Sequence, residues 1–518
     1  MPVTVLSAYS TAVVLAFSLI IAGCASTGGI APQAQRMDAA TLDAGAAIRA
    51  ANADAKWPAA NWWHVYGDAQ LNTWIETALA DSPTLAMAQA RVREANAMAG
   101  VARSAMLPQL GGNLSIERQR WPDNIYYGPG PLANTMTWNN TAALGLSYHL
   151  DLWGKDKNTA ARALDAAHAR AADERAAQLE LEVNITRAYI DLSKNYALLD
   201  IAKAMLAEQQ KILGYAQRRL KGGLGTQLEV TQAETPLPEY QRQIDACEEA
   251  IALNKNQLAA LAGKGPGAAD ALTRPHLAMT APMDLPSTLP AELIGHRPDV
   301  VAARWTIAAQ ARGVDVARAG FYPDINLLVT LGGFAAAGPM FQFLRAANSG
   351  WTAGPALSLP IFDGGRLRAE LGAAAAGYDE AVEQYNQTIT GALKEVSDAV
   401  VRIRSLASQH REARRSVSVA QRNLNLSEEG YRRGLTDYLN VLVAQTQLLQ
   451  AEQGMANITA GRLAAHASLV AALGGGMMDA TASPGDADQL PAHGKHQGLL
   501  PPMPAAWLAP AQPGAHAQ

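Results

Sequence analysis

Two long stretches of the chain have an uninterrupted helical pattern. Residues 155–221 and 366–433 each run for nearly 70 positions without a proline and with few glycines. At 1.5 Å per residue, each stretch predicts a helix of about 100 Å. Alanines alternate with larger side chains in both, which lets neighbouring helices pack closely. Further helical patterns begin after Gly225 and near Thr436, so each long helix is expected to turn and be followed by a returning helix.

The pattern changes to alternation before each long helix. Ser82-Pro83 and Arg297-Pro298 begin helical segments, since proline is favoured at the first helical position. After Pro108 and Pro323, apolar residues occur at every second position, which predicts strands with one apolar face and one small or polar face. The alternating positions are Ala142, Leu144, Leu146, Tyr148 and Leu150 in the first half and Ile325, Leu327, Val329 and Leu331 in the second. Such strands suit a membrane barrel and a soluble half-buried sheet alike.

The same elements occur twice because the chain contains an internal duplication. Four landmarks recur in order, two at an offset of 215 residues and two at an offset of 211. They are 82–85 with 297–300, 107–109 with 322–324, 146–155 with 357–366, and 223–234 with 434–445. We therefore predict a first repeat at 62–263, a linker at 264–287 and a second repeat at 288–475. Residues 476–518 are rich in Pro, Ala, Gly and His and predict a disordered tail.

The N-terminal residues predict export and lipidation. Ala12 to Ala22 has the apolar core of a secretory signal peptide spanning residues 1–23. This core ends in Ile21-Ala22-Gly23-Cys24, which resembles a bacterial lipobox and implies a diacylglycerol on the thiol of Cys24. Residue 25 is alanine rather than aspartate, which implies sorting to the outer membrane. Residues 24–61 are then expected to form a loose lipidated tether. The alternative is an ordinary signal peptide in which Cys24 has no role.

Composition excludes several classes of protein. Charged residues make up 17% and hydrophobic residues 49% of the 518 positions, so a large folded core is expected. Lys and Arg number 42 against 46 Asp and Glu, and the net charge of −4 offers no basic field for nucleic acid. Two cysteines are too few for a disulfide scaffold or a cysteine-ligated metal site. The longest apolar run, 11–23, is shorter than the roughly 20 residues of a membrane-spanning helix.

Motifs for catalysis and for cofactor binding are absent from the sequence. The chain has no phosphate-binding loop ending in Gly-Lys-Ser/Thr, no His-Glu-x-x-His and no Gly-x-Ser-x-Gly. His493 and His496 are isolated in the tail and do not predict a metal site. We therefore expect no enzyme activity, no cofactor and no metal.

A set of short motifs, taken in order, resembles the trimeric outer-membrane efflux channels of the TolC type, specifically their lipid-anchored NodT-like branch. The motifs are Trp62-Trp63 with Tyr66-Gly67-Asp68, Leu150-Asp151-Leu152-Trp153-Gly154, Arg297-Pro298-Asp299-Val300, Leu359-Pro360-Ile361-Phe362-Asp363-Gly364-Gly365, and Gly434-Leu435-Thr436 with Asn440-Val441-Leu442. The resemblance implies an α+β membrane protein, a homotrimer whose strands form a 12-stranded transmembrane β-barrel. The long helices continue below it as a periplasmic α-helical coiled-coil barrel. Four strands per chain cannot close a barrel, which independently predicts that several copies share one sheet.

The resemblance also implies a function. The chain is expected to be the passive exit duct of a tripartite efflux system for drugs or other small molecules, anchored in the bacterial outer membrane and extending into the periplasm. Its implied partners are a periplasmic adaptor (membrane fusion) protein, an inner-membrane pump and outer-membrane lipid. One alternative is a duct of the same fold that exports metal ions, oligosaccharides or proteins. A second alternative is a periplasmic coiled-coil scaffold that never enters a membrane.

In this family the hairpin tips close the periplasmic end of the duct, and acidic side chains ring the constriction. Carried over position by position, the first acidic position falls on Glu229, whereas those of the second tip fall on Asn440 and Val443. Asp437 lies one turn before Asn440 and is expected to supply charge, and Leu439 is the expected apolar plug. The alternative is that Glu229 and Asp437 are solvated caps in the first helical turn, where carboxylates suit the helix dipole.

Residues just before the second tip are candidates for a latch. Tyr431, Arg432 and Arg433 lie where the family's closed state is held by hydrogen bonds and ion pairs. Exposed ion pairs are worth about 0 to 1 kcal/mol, so such a latch is easily released. The alternative for the two arginines is a solvated basic face. Pro236 and Pro238 predict a kink or a delayed start in the first returning helix, which the family pattern does not require.

Overall fold

A computed structural model describes residues 27–38, 41–43, 57–122, 134–278, 296–335 and 339–476. The elements in chain order are α1 (Ala69–Asp81), α2 (Pro83–Ser104), β1 (Gln109–Arg120), β2 (Met136–His149), α3 (Lys155–Lys221), α4 (Gln227–Glu234), α5 (Leu237–Leu261), α6 (Pro298–Ala319), β3 (Asp324–Ala335), β4 (Ser349–Ser358), α7 (Arg366–Arg432) and α8 (Tyr438–Ala472). Cys24 and the tail after residue 476 lie outside the described residues. None of the described helices combines the length and the apolar character that crossing a membrane requires.

The two halves of the chain contain the same elements in the same order. A helix, two strands and a helix of 67 residues occur in each half, as α2-β1-β2-α3 and α6-β3-β4-α7. The returning helices begin at Gln227 and Tyr438, which keeps the offset of 211 residues. They differ in one respect, because the first is interrupted between α4 and α5, where Pro236 lies, and α8 is continuous.

A glycine and an aspartate fix the start of each long helix. Gly154 and Gly365 precede α3 and α7 with φ angles of 75° and 93°, a left-handed conformation that costs little without a Cβ atom. Asp151 and Asp363 each accept a hydrogen bond of 2.8 Å from a backbone N–H of the first helical turn. The two Asp-containing motifs therefore end a strand pair and begin a long helix.

The four strands form one antiparallel sheet in the order β1-β2-β3-β4. The central pair joins the two halves of the chain, with Leu144 of β2 opposite Leu331 of β3. Large apolar side chains on the strands are exposed, and Trp351 of β4 is 74% exposed. The others include Leu110, Leu114, Leu144, Leu146, Leu331, Phe334 and Leu357. An apolar surface of this extent is typical of contact with a partner or with lipid.

Contacts at the junction between strands and helices also join the two halves of the chain. The ring of Trp153, just before α3, stacks on that of Tyr322, just before β3, with 4.7 Å between centroids. His149 at the end of β2 contacts Asp156 of α3 through Nδ1 and lies 2.8 Å from Asp324 of β3 through Nε2. The beginnings of α3 and β3 are therefore held side by side.

The Trp-Trp-x-x-Tyr motif packs into the middle of the helical region. Nε1 of Trp62 donates to Oε2 of Glu182 in α3 at 3.0 Å. Burial raises the pKa of the Glu182 carboxyl. The hydroxyl of Tyr66 donates to the backbone carbonyl of Leu463 in α8 at 2.9 Å and lies 3.2 Å from Nδ1 of His466. The motif therefore connects the start of the first repeat to both α3 and the end of the second repeat.

Asp68, the last residue of this motif, organises the polar contacts around it. It caps α1, because Oδ1 accepts the N–H of Gln70 at 2.9 Å. Its other oxygen accepts the hydroxyl of Tyr189 at 3.0 Å and the N–H of His276 at 2.8 Å. One nearly buried carboxylate thus fixes a helix start, the long helix α3 and the segment that follows the first repeat.

The described N-terminal residues are docked, which corrects the expectation of a loose tether for this part of residues 24–61. Residues 27–38, here called the N-terminal strap, lie along α7. Asp379 accepts two consecutive backbone N–H groups of the strap, and Asn386 accepts a third, all at 2.8 Å. Ile30 and Ala34 pack against apolar clusters of α6 and α7. The strap itself has no periodic pattern, and the docking side chains lie more than 340 residues away, so no local pattern predicts the docking.

Candidate gate at the helix tips

Both hairpins turn within a few residues at the tip. Gly223 and Gly434 have φ angles of 69° and 74°, the left-handed conformation that ends each long helix. The returning helices are then capped by side chains. Oγ1 of Thr226 accepts the N–H of Glu229 at 3.2 Å, and Oδ1 of Asp437 accepts the N–H of Asn440 at 3.3 Å. The two tips are therefore built in the same way, with a left-handed glycine followed by a capping side chain.

The side chain of Glu229 joins the two tips. Its Oε2 accepts the hydroxyl of Tyr431 in α7 at 3.1 Å. The same oxygen lies 3.6 Å from Nε of Arg219 in α3, and the carboxylate is only 24% exposed. The guanidinium of Arg219 also lies over the Tyr431 ring at 5.3 Å. Glu229 is thus bound within its own chain, in a three-residue contact that spans both hairpins.

Tyr431 lies in an aromatic cluster that packs the tips together. Its ring contacts those of Tyr215 in α3 and Tyr438 in α8, with centroid distances of 6.0 and 5.7 Å. Burial, with the neighbouring Glu229 carboxylate second, raises the pKa of Tyr431 to about 12. The phenol therefore stays protonated at neutral pH and serves as a hydrogen-bond donor.

The second tip presents a polar cap and an exposed leucine. Asp437 caps α8, and Nδ2 of Asn440 donates to Oδ1 of Asp437 at 3.1 Å and to Oγ1 of Thr436 at 2.5 Å. Leu439 between them is 56% exposed. Asp437 is therefore engaged as a helix cap while still facing solvent. Other exposed apolar residues of the tips are Leu224, Leu228, Leu435 and Val443.

The two arginines of the second tip are bound on their own helix. Arg432 and Arg433 both pair with Glu429 of α7, at 3.0 and 2.5 Å. All three side chains are exposed.

The sequence predicted that Tyr431 and Glu229 lie at the tips, but it did not predict a part for Arg219. The sequence marks Arg219 only as a basic residue in the last turn of α3, and Arg218 and Lys221 are basic residues of the same turn. Among the described residues there is no cluster of His, Cys, Asp and Glu suited to hold a metal.

The chain matches a family of known proteins in both of its halves. The model of the family described as "Outer membrane efflux protein" matches residues 74–264 and 289–475. The chain belongs to this family. The predicted resemblance and the predicted α+β fold of repeated strands and long helices are both confirmed.

Curated relatives of this efflux protein carry names for resistance and export. It is 56% identical over 490 residues to the fusaric acid resistance protein FusA of Burkholderia cepacia, covering 91% of this chain and 89% of that one. It is 28% identical to the multidrug resistance outer membrane protein MdtP of Escherichia coli, over 89% and 95% of the two chains. The pyoverdine export outer membrane protein OpmQ of Pseudomonas aeruginosa is 30% identical, over 80% and 87%.

Solved structures share the fold along most of the chain. The outer membrane protein VceC of Vibrio cholerae superposes with a TM-score of 0.75 at 35% identity, covering 81% of this chain and 100% of that one. The CmeC outer membrane channel of Campylobacter jejuni gives a TM-score of 0.80 at 23% identity, over 87% and 96%, and shows the fold alone. The predicted outer-membrane location and the role of an efflux exit duct are confirmed at this level, and the family and fold are those of channel proteins.

Proposed function

We propose that three copies of this chain assemble into one closed duct in the outer membrane. β1 and β4 are the two ends of the sheet, and each has one edge without a neighbouring strand among the described residues. Unpaired strand edges are not tolerated in lipid, so edges of neighbouring copies must pair. Three copies then supply 12 strands, and the exposed apolar side chains such as Trp351 face the lipid.

The N-terminal strap supports a lipid anchor at Cys24. Gly28 of the strap lies beside Arg368 in the first turn of α7, since a Cβ atom on this glycine would be 3.7 Å from Nε of Arg368. The connections between helices and strands expose apolar and aromatic residues, namely Leu152, Trp153, Tyr322, Ile361 and Phe362. Aromatic residues in such positions mark a membrane–water interface. Four residues of chain span at most about 14 Å, which is long enough for an anchor four residues before Gly28 to reach such an interface.

The hairpin tips form the periplasmic gate of the proposed duct. The observation that carries this assignment is the bond between Tyr431 and Glu229, which holds the two tips of one chain together. Three copies of the exposed Leu439 would form an apolar ring, and three copies of Asp437 a charged one. Arg432 and Arg433 are exposed beside this ring, where contacts to a neighbouring copy would replace their bonds to Glu429. Glu229 belongs to the closing contact rather than to a free carboxylate ring.

A periplasmic adaptor protein and an inner-membrane pump complete the proposed efflux system. The sequence contains no phosphate-binding loop of the Gly-Lys-Ser/Thr type, which supports an energy source in a partner protein. The 56% identity with FusA over 91% of the chain supports fusaric acid as a cargo. The test is growth of the source strain with the gene deleted and restored. Deletion is expected to sensitise the cells to fusaric acid. Equal resistance with and without the gene would remove this cargo but not the channel.

Conductance tests the channel directly. Detergent-extracted trimers are placed in a planar bilayer, with Glu229→Ala and Asp437→Ala variants alongside wild type. We expect a small, cation-preferring conductance that rises in Glu229→Ala, because the closing contact is lost. In Asp437→Ala the preference for cations is expected to fall. Protein that cannot be extracted from membranes, or folded trimers that give no current in any variant, would overturn the proposed function.

A further inference from the structure

The first returning helix is broken close to the gate, and the second is not. α4 ends at Glu234 and α5 begins at Leu237. Pro236 and Pro238 have no backbone N–H, so two carbonyl groups of α4 lose their helical donors. The continuous helix α8 shows that the fold itself does not require such a break. The interruption is therefore a property of this hairpin and needs its own explanation.

A buried glutamine lies at the break. Gln209 of α3 is fully buried. Its amide nitrogen donates to the backbone carbonyl of Ala233 at 2.6 Å and to the phenolic oxygen of Tyr438 at 2.7 Å. One amide thus contacts the last turn of α4 and the first residue of α8. Its amide oxygen is buried without a hydrogen-bond partner in the structure, which is costly in an apolar cluster and points to a specific role for the side chain.

The duplication supplies an internal comparison. Residues that correspond to Gln209, Pro236, Pro238 and Tyr240 at the offset of 211 are Ala420, Gln447, Leu449 and Ala451. Three of these counterparts, Ala420, Gln447 and Ala451, line a groove of about 800 Å³ between α7 and α8. The glutamine and the two prolines occur together in one hairpin and are all replaced in the other. The Gln209 contact to α4 and the two prolines are therefore features of the first hairpin alone.

We propose that the first tip opens by bending at Pro236 and Pro238, and that Gln209 is the positioning residue that holds this hinge in its closed geometry. The inference rests on the proposed gate and deepens it. α4 carries Glu229, so when the bond to Tyr431 breaks, the eight residues of α4 swing about the hinge. α5 stays packed meanwhile. Because Gln209 also binds Tyr438, the hinge cannot bend without loosening the second tip, and the two tips open together.

A double-mutant cycle tests the hinge. Gln209→Met removes both N–H donors at similar length, and Pro236→Gln with Pro238→Leu installs the residues of the second hairpin. The readout is the open probability of single channels in a planar bilayer. Gln209→Met is expected to raise it at least fivefold, since fivefold is the effect of losing one neutral hydrogen bond and two are lost, and the proline replacements are expected to lower it by about fivefold. In the proline-free background Gln209→Met is expected to have less than about a twofold effect. Gln241→Met, on the exposed face of α5, is the matched control.

Equal effects of Gln209→Met in both backgrounds would overturn the proposal, because the amide would then act independently of the break. Hydrogen exchange of the wild-type trimer provides a second test that does not depend on a variant folding. Backbone amides of residues 231–240 are expected to exchange faster than those of 442–451. Equal protection in the two hairpins would also overturn it. A wild-type protein that conducts no ions contradicts the channel itself, and the exchange measurement still decides whether the hinge exists.

Discussion

The hydroxyl of Tyr431 donates to Oε2 of Glu229 across 3.1 Å, which joins two residues 202 positions apart and one from each hairpin tip. Glu229 lies in the first turn of α4, and Tyr431 lies in the last turn of α7. Burial raises the pKa of the phenol to about 12, so Tyr431 remains a neutral hydrogen-bond donor throughout the physiological pH range.

Removing this donor is expected to favour the open state. Tyr431→Phe keeps the ring packing against Tyr215 and Tyr438 but leaves Glu229 with Arg219 alone. A hydrogen bond to a charged group is worth about 1.5–3 kcal/mol, so the open probability should rise at least tenfold in bilayer recordings. Arg170→Ala is the control, because this exposed arginine pairs at 3.0 Å with Asp173 on its own helix α3 and takes no part in the tips. An open probability equal to that of wild type would show that the bond does not hold the tips.

Loss of the Asp68 carboxylate is expected to destabilise the helical region. Asp68→Ala removes the cap of α1 and leaves the hydroxyl of Tyr189 and the N–H of His276 without their acceptor. We expect a loss of about 2–4 kcal/mol in the free energy of unfolding, measured by denaturant titration in detergent. Asp81→Ala, which breaks a surface pair with Lys264 at 2.7 Å, is the control and should cost less than about 1 kcal/mol. Equal losses would mean that the contacts of Asp68 add nothing beyond a surface charge.

Stability is expected to fall in mild acid because of His466. Burial lowers the pKa of this imidazole to about 4, below its ordinary value near 6.5. Between these values the unfolded chain binds a proton that the folded chain does not. The free energy of unfolding should therefore decrease by about 3 kcal/mol as the pH falls from 6.5 to 4. Burial raises the pKa of Glu182, so protonation of this carboxyl stabilises the folded chain as the pH falls. This opposite contribution is the same in wild type and in a variant of His466.

The contribution of His466 is isolated by comparing wild type with His466→Gln over the same pH range. The variant cannot take up a proton at this position, so its stability should depend less steeply on pH. Parallel curves for the two proteins would contradict the assignment. Glutamine keeps a polar side chain near the hydroxyl of Tyr66, which limits the loss of packing.

The N-terminal strap is expected to be released by changes in α7. Asp379→Ala with Asn386→Ala removes the acceptors of three backbone N–H groups of the strap. Losing bonds worth about 1 kcal/mol each should expose Arg36 to trypsin and speed cleavage there at least tenfold. Asp398→Ala, which breaks only an exposed pair with Lys394 on α7, is the control. Unchanged cleavage in the double variant would show that apolar packing of Ile30 and Ala34 alone holds the strap.

Most of the fold could be predicted from local patterns. The proline-free stretches gave the long helices, and the alternation after Pro108 and Pro323 gave the strands. The 211-residue offset between Gln227 and Tyr438 was already present in the duplicated sequence. These features repeat along the chain, so each residue carries part of the signal. The same periodicity could not reveal the docking of the strap, because Asp379 acts through one carboxylate and no pattern marks it.

The candidate site was predicted less completely than the fold. Family resemblance placed Glu229 and Tyr431 at the tips, but it did not give the bond between them or the part of Arg219. Asp437 serves as a helix cap, as the alternative interpretation had it, and remains exposed to solvent. Side-chain contacts across hairpins depend on rotamers and on tertiary packing, neither of which leaves a periodic trace in the sequence.

The pairing of β2 with β3 sets the order in which the chain can fold. Leu144 meets Leu331 only after the whole of the first hairpin has been made and exported, whereas β1 and β2 form a local hairpin. Contacts between residues so far apart form slowly, since a long loop must close first. The apolar edge of β2 is therefore open to the periplasm during secretion, and an unpaired strand of this kind is prone to aggregate. We therefore expect β2 to need protection from aggregation until β3 arrives.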